Sequence, residues 1–172
     1  MTIELRPATS DDQLLVARAL YAAWQWRHPW DESSFADHQQ SGGPDSYVDD
    51  FGVRPGDAGV IAEAVSDGGR RFAGAAWYRF FTDADHRAGY VGQDVPELVV
   101  AVQEAFRGAG VGRYLMTALI DTAAAAGIPA MSLHVSADNA VAAAMYRSLG
   151  FRPTGDFEGR GTVMVKQLRS CR

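Results

Sequence analysis

The stretch ELVVAVQEAFRGAGVGRYLMTAL, residues 97–119, constrains the fold more than any other part of the chain. A nearly continuous apolar run, 97–102, leads into three alternating glycines, Gly108, Gly110 and Gly112. A run of that length reads as a strand buried on both faces, and so central in its sheet. Beyond the glycines, Val111, Leu115, Leu119 and Ala123 recur every four residues, on one face of a helix over about 110–126. Gly127 stands at that helix's C-cap with Pro129 just beyond, an ordinary stop. Any fold must therefore accommodate a central strand, a glycine turn and an amphipathic helix in immediate succession.

The flanking segments supply the rest of a mixed α/β sheet. IELR (3–6) predicts a strand, and Ser10 a cap for a helix over 11–25 with Leu14, Leu15, Ala19 and Leu20 as its apolar stripe. Residues 27–57 read as irregular with one or two helical turns. Their aromatic residues predict packing rather than a disordered linker. Strands follow at 59–65 and 72–81, joined at SDGGR by a hairpin turn. A polar loop over 82–96 precedes the central strand. MSLHV (131–135) predicts a further strand, and Asp138 or Asn139 caps a helix over 140–149 that Gly150 ends. TVMVK (162–166) reads as the last strand. A chain of 172 residues suits one domain, 1–172.

Charge and cysteine content exclude several classes. A formal net charge of -5 argues against a general nucleic-acid-binding surface. The single cysteine, Cys171, allows no intrachain disulfide, which suits a reducing compartment. The N-terminus lacks a signal-peptide pattern, and Asp121, Gly127 and Pro129 break the most apolar region, so no membrane span and a cytoplasmic location are expected. His28, His38, His86 and His134 have no metal-ligand spacing, and no metal is expected.

The glycine stretch fits neither common phosphate motif. A dinucleotide fingerprint started at Gly108 or Gly110 meets Arg113 or Leu115 where it needs its third glycine, and a Walker loop needs a lysine that is absent. What remains is R-x-x-G-x-G, with Arg107, Gly110 and Gly112. Two readings stay open. Unpaired backbone N–H groups at a helix start, with no Cβ in the way and Arg107 and Arg113 alongside, can cradle a pyrophosphate. Alternatively, the glycines serve close helix–strand packing and the arginines are merely solvated.

With ELVVAV before it, and VSADNAVAAAMYRSLGF (Asn139, Tyr146, Gly150, Phe151) after it, this stretch resembles the GNAT superfamily of acyl-CoA-dependent N-acyltransferases. The resemblance covers 97–151. It implies a mixed, mostly antiparallel sheet, splayed between two central parallel strands and flanked by helices. It also implies acetyl transfer from acetyl-CoA, as co-substrate, to a primary amine of a small molecule, peptide or protein. The donor-binding residues it implies are Arg107, Gly108, Ala109, Gly110, Val111, Gly112 and Arg113 at the pyrophosphate. Val100 and Val102 would pair with pantetheine through their backbones, and Asn139 would lie at the head of the last helix. A non-catalytic acyl-CoA-binding or sensing module is the alternative. Dimers are common in such folds, so a homodimer is one expected state.

Two catalytic candidates follow from the same resemblance. Tyr146 matches the family's tyrosine, an acid for the leaving thiolate; the competing reading is an aromatic with a wet hydroxyl. Glu97 opens the central strand, where some members place a base. Apolar neighbours there would favour its protonated form, and a solvated strand-end charge is the competing reading. The resemblance places the acceptor pocket near 24–51 and 82–95. Trp26, Trp30, Phe35 and Tyr90 would form an aromatic wall there, with Asp31, Glu32, Asp83 and Asp85 to attract an ammonium group. His134, alone among apolar strand residues, would line the acceptor site or simply be a half-buried structural histidine.

Overall fold

The computed structural model describes residues 1–42, 45–156 and 159–168; Cys171 lies outside them. Seven strands form one mixed sheet in the order β1-β2-β3-β4-β5-β7-β6. They are β1 (Thr2–Pro7), β2 (Ala58–Ser66), β3 (Gly69–Arg79), β4 (Glu97–Val102), β5 (Ala130–Ser136), β6 (Arg152–Asp156) and β7 (Gly161–Gln167). The helices are α1 (Gln13–Trp24), α2 (Glu32–Ser41), α3 (Val111–Ala125) and α4 (Ala140–Ser148). The apolar run ELVVAV is the fourth of the seven strands, as its unbroken hydrophobicity requires. The chain contacts group into two compact units.

The first unit comprises Met1–Trp77 and Val99–Leu119. β1 runs antiparallel to β2 from Thr2↔Val65 to Pro7↔Val60. β2 and β3 form the predicted hairpin, turning at Asp67–Gly68 with Gly69 at φ +108°. Val16, Leu20, Phe35, Phe51, Ile61 and Trp77 make its core. The predicted stripe of α1 holds at Leu15, Ala19 and Leu20, which pack into this core, and fails at Leu14. Leu14 is 59% exposed, while Val16, Ala17, Ala19, Leu20 and Ala22 are buried. The start also moves: a 3-10 turn at Ser10–Asp12 precedes the helix, and Asp12, not Ser10, is its N-cap residue. The Asp12 carboxylate accepts from Thr9 N–H (2.8 Å) and takes both terminal nitrogens of Arg6 (2.8 and 2.7 Å). The segment read as irregular contains α2. Asp31 caps it, and Phe35 is its one buried residue.

Close approach of backbones in this unit depends on Gly74 in β3. A Cβ there would stand 2.5 Å from Ala101 O and 3.2 Å from Leu115 Cδ1, so only glycine lets β3 lie against β4 and α3.

The second unit comprises Tyr78–Leu98 and the chain from Ile120 onward. β4 and β5 are parallel neighbours, in register at Glu97↔Ser132. β5 pairs antiparallel with β7 along its whole length, Ala130↔Gln167 to Ser136↔Gly161. β7 then pairs with β6, a strand the sequence reading did not anticipate, with a register shift between Pro153 and Gly155. Asn139 caps α4, its Oδ1 accepting from Ala142 N–H at 3.1 Å, and Gly150 follows at φ +94°.

Candidate functional site

The residues predicted for the site fall in both units. Val100, Val102 and 107–113 lie in the first; Glu97, Asn139 and Tyr146 lie in the second.

In the first unit, the chain leaves β4 through a stiff connection. Gln103 N–H still donates across the sheet to Ala73 O (2.8 Å), and a 3-10 turn, Glu104–Phe106, follows. Phe106 is buried beneath the Arg71 guanidinium, 5.3 Å from its ring centroid. Arg107 does not stand free beside the glycines. Its Nε donates to Val102 O and its Nη1 to Trp26 O, each at 3.1 Å. Then come two left-handed residues, Gly108 at φ +77° and Gly110 at φ +80°. A Cβ at either would meet nothing within 4 Å. Close packing therefore does not account for these glycines; the backbone conformation does.

Tyr114 N–H closes the first turn of α3 onto Gly110 O at 3.0 Å. The N–H groups of 111–113 thus precede the helix's first internal bond, at the positive end of its dipole. Gly108, Ala109, Gly110 and Arg113 are exposed, while Val111 is buried (3%) and roots the helix. Gly112 sits half-buried in the first helical turn. Val100 and Val102 are also half-buried. Such a turn can take an anion without any change in the core behind it.

In the second unit, Glu97 is not a solvated strand end. It is 3% exposed, and its Oε1 accepts a buried hydrogen bond from Gly89 N–H at 3.0 Å. A Cβ on Gly89 would stand 2.7 Å from that oxygen, so the residue must be glycine for the 82–96 loop to close over the carboxylate. Ser132, paired with Glu97, is fully buried and donates its N–H to Pro96 O at 3.0 Å. Tyr146 is buried too, with its ring 6.0 Å from that of Phe151. Burial pushes its phenol up to about 12 from the usual 10.0, so the hydroxyl holds its proton throughout the physiological range. Asn139 spends its side-chain oxygen on the cap of α4. His134 is half-buried.

The expected acceptor wall is only partly there. Phe35 is core, 4% exposed. Asp31 serves as the α2 cap, bonding Ser33 N–H, Ser34 N–H and Ser34 Oγ. Glu32 clamps Arg18 at 2.6 and 2.7 Å and accepts from the Trp30 indole at 3.0 Å; these hold its carboxyl down at about 2. Asp83 accepts from Tyr90 OH (2.5 Å) and from Gln93. What the first unit does contain is a cleft of about 260 Å³ bounded by Tyr21, Gln25, Trp30, Asp31, Glu104 and Arg107. Glu104 and Gly89 were not singled out from the sequence, and neither was Arg79, a cation only 1% exposed. Among the described residues, no group of three or more His, Cys, Asp or Glu is placed to hold a metal ion.

Comparison with known proteins gives the family and the fold. Residues 17–151 match the acetyltransferase (GNAT) family. A mycothiol acetyltransferase of a Nocardioides species is 35% identical over 99 residues, 56% of this chain. One from Nocardiopsis dassonvillei is 34% identical over 124 residues, 69% of this chain. The matches span only 33% and 36% of those relatives' own lengths. Among solved structures, the PaiA N-acetyltransferase of Thermoplasma acidophilum, in complex with coenzyme A, superposes with a TM-score of 0.67. Its identity is 17%, and the match covers 97% of this chain and 99% of that one.

Proposed function

The chain belongs to the acetyltransferase (GNAT) family, and from that premise we propose that it transfers an acetyl group directly from acetyl-CoA to a primary amine. The observation that carries this reading is the pair of left-handed, uncrowded glycines, Gly108 and Gly110, ahead of the α3 N–H groups. A turn of this kind suits a pyrophosphate, which the N–H groups of 108–113 would hold through charge-assisted bonds with Arg113 adding charge. Arg107, its guanidinium engaged with two carbonyls, would contribute field rather than a first contact. Val100 and Val102 would offer backbone groups to pantetheine, and Asn139 would lie against the donor from the head of α4.

Acetyl-CoA supplies a thioester whose C–S bond breaks as the N–C bond forms. An amine with an ordinary pKa near 10.4 is neutral in only about one molecule in 2,500 at pH 7, so a proton must be removed before attack. The buried Glu97 carboxylate would accept it. Tyr146 would stabilise the leaving sulfur. A thiol near 8.5 and a phenol near 12 differ by about 3.5 units, or about 5 kcal/mol against full proton transfer. The phenol would therefore act first as a hydrogen-bond donor to the thiolate. Relatives named as mycothiol acetyltransferases support a small-molecule acceptor over a protein one. No helix among the described residues is long and apolar enough to cross a membrane. One cysteine allows no disulfide within the chain, which suits a reducing compartment such as the cytoplasm.

Thiol release from acetyl-CoA across a panel of small amines, amino sugars and peptides tests the reading. Amine-dependent release is expected with at least one small amine. Tight CoA binding with no release for any amine would overturn the transferase and leave the acyl-CoA-binding module in its place.

A further inference from the structure

The connection between β4 and α3 does more than shape the glycine turn. Two of its side chains reach back to the 25–31 loop between α1 and α2. Arg107 Nη1 donates to Trp26 O at 3.1 Å, and Glu104 Oε2 accepts from Trp30 N–H at 3.3 Å. The loop is thus pinned at both ends by residues three apart in one short turn, a turn that Arg107 N–H closes onto Glu104 O at 3.2 Å. The Trp30 ring is held on its other sides. Its indole donates to Glu32, the Arg18 guanidinium lies 4.7 Å from its centroid, and Tyr21 meets it edge-on at 5.9 Å. The cleft of about 260 Å³ opens between these parts, with Glu104 and Arg107 in its wall.

We propose that Glu104 and Arg107 are positioning residues that transmit occupancy of the glycine turn to the 26–30 loop, so that filling the turn sets the shape of the adjacent cleft. The proposal rests on the donor reading above. Its physical basis is entropy. Glu104 and Arg107 are exposed, long and rotamer-rich, and holding them in one geometry costs conformational freedom. An anion seated on 108–113 restricts the backbone that carries both side chains. The two bonds to the loop then form with less loss of freedom, and the cleft is ordered before its own ligand arrives. Coupling runs equally in both directions, so whatever fills the cleft tightens donor binding by the same factor.

Backbone amide exchange in the 25–31 segment, read with and without CoA, tests this, with CoA binding followed in parallel by calorimetry. CoA is expected to slow exchange at the Trp30 amide by about fivefold or more, the lower end of ordinary coupling. Glu104→Gln keeps an acceptor oxygen and should preserve the slowing. Glu104→Ala should abolish it while the chain still binds CoA. A role confined to stability would alter exchange equally with and without CoA. Bound CoA with unchanged exchange in the unaltered protein, or full slowing in Glu104→Ala, overturns the coupling and leaves the donor reading intact. No CoA binding by the unaltered chain overturns the donor reading and the coupling with it.

Discussion

Replacing Tyr146 with phenylalanine removes one oxygen and tests two consequences of its burial. The first is thermodynamic. The phenol titrates near 12 in the folded chain, against 10.0 when exposed. Between those values the folded state keeps a proton that the unfolded state has released, so stability falls as pH rises. The contribution is complete below pH 10 and lost through pH 12. Two units correspond to about 2.7 kcal/mol in all, of which about 1.4 kcal/mol is lost by pH 11. Urea unfolding of both proteins at pH 8, 10 and 11 isolates this effect, because the raised phenol of half-buried Tyr90 is common to both and cancels. The stability of the unaltered protein relative to Tyr146→Phe should fall by about 1.4 kcal/mol between pH 8 and 11. A flat difference would refute the burial argument. The second consequence is kinetic. A hydrogen bond to a developing thiolate is worth about 1.5–3 kcal/mol, so kcat should drop about 10- to 150-fold with KM little changed. Equal kcat would remove Tyr146 from the chemistry.

Two further substitutions separate chemistry from scaffolding. Glu97→Gln retains an acceptor for the Gly89 N–H, so its stability should stay within about 1 kcal/mol of the unaltered chain while kcat falls about 10²- to 10⁴-fold. Glu97→Ala leaves that buried N–H without its acceptor and should cost about 1–3 kcal/mol on urea unfolding; full activity in the Gln variant would exclude Glu97 as the base. Gly110→Ala meets no steric obstacle but forces an L-residue to φ +80°, costing about 1–2 kcal/mol of stability. If the turn relaxes to avoid that cost, CoA affinity should fall about tenfold by calorimetry; unchanged affinity and stability would show that the left-handed turn is dispensable.

The elements that could be read from the sequence are those whose stability is local. β4, α3 and the Gly127 stop carry a continuous apolar run, a period-3.6 stripe and a helix-stop glycine, and each stands where it was expected. The elements that could not be read depend on partners far along the chain. β6 (RPTGD) has a proline and a glycine, and it is a strand only because β7 supplies the ladder. α2 has no apolar stripe; a capping aspartate and one buried phenylalanine hold it. Glu97 reads as a strand-end charge until the 82–96 loop closes over it at Gly89, and no periodicity reports what covers a strand end. Gly74 gave no local signal either, since its reason is the approach of Ala101 and Leu115.

The same distinction explains why the donor side of the proposed reaction is legible and the acceptor side is not. Recognition of a pyrophosphate by backbone N–H groups demands a particular φ, and φ demands glycine, so Gly108 and Gly110 carry the information in the letter itself. Recognition of an acceptor depends on side chains whose positions are set elsewhere. Asp31 and Glu32 looked like cation attractors, yet their oxygens already serve the start of α2, Arg18 and Trp30. Trp30 keeps its place because of Glu104, 74 positions away, and the Trp26 carbonyl because of Arg107, 81 positions away. Arg107 thus belongs to the glycine motif by sequence and to the 25–31 loop by contact. Two of its five N–H donors are already committed to carbonyls, so an arginine beside a phosphate cradle is not by itself evidence of a phosphate contact. Its guanidinium can favour an anion through its charge while its hydrogen bonds shape the neighbouring cleft. The two roles are separable because charge acts through distance and hydrogen bonds only through contact.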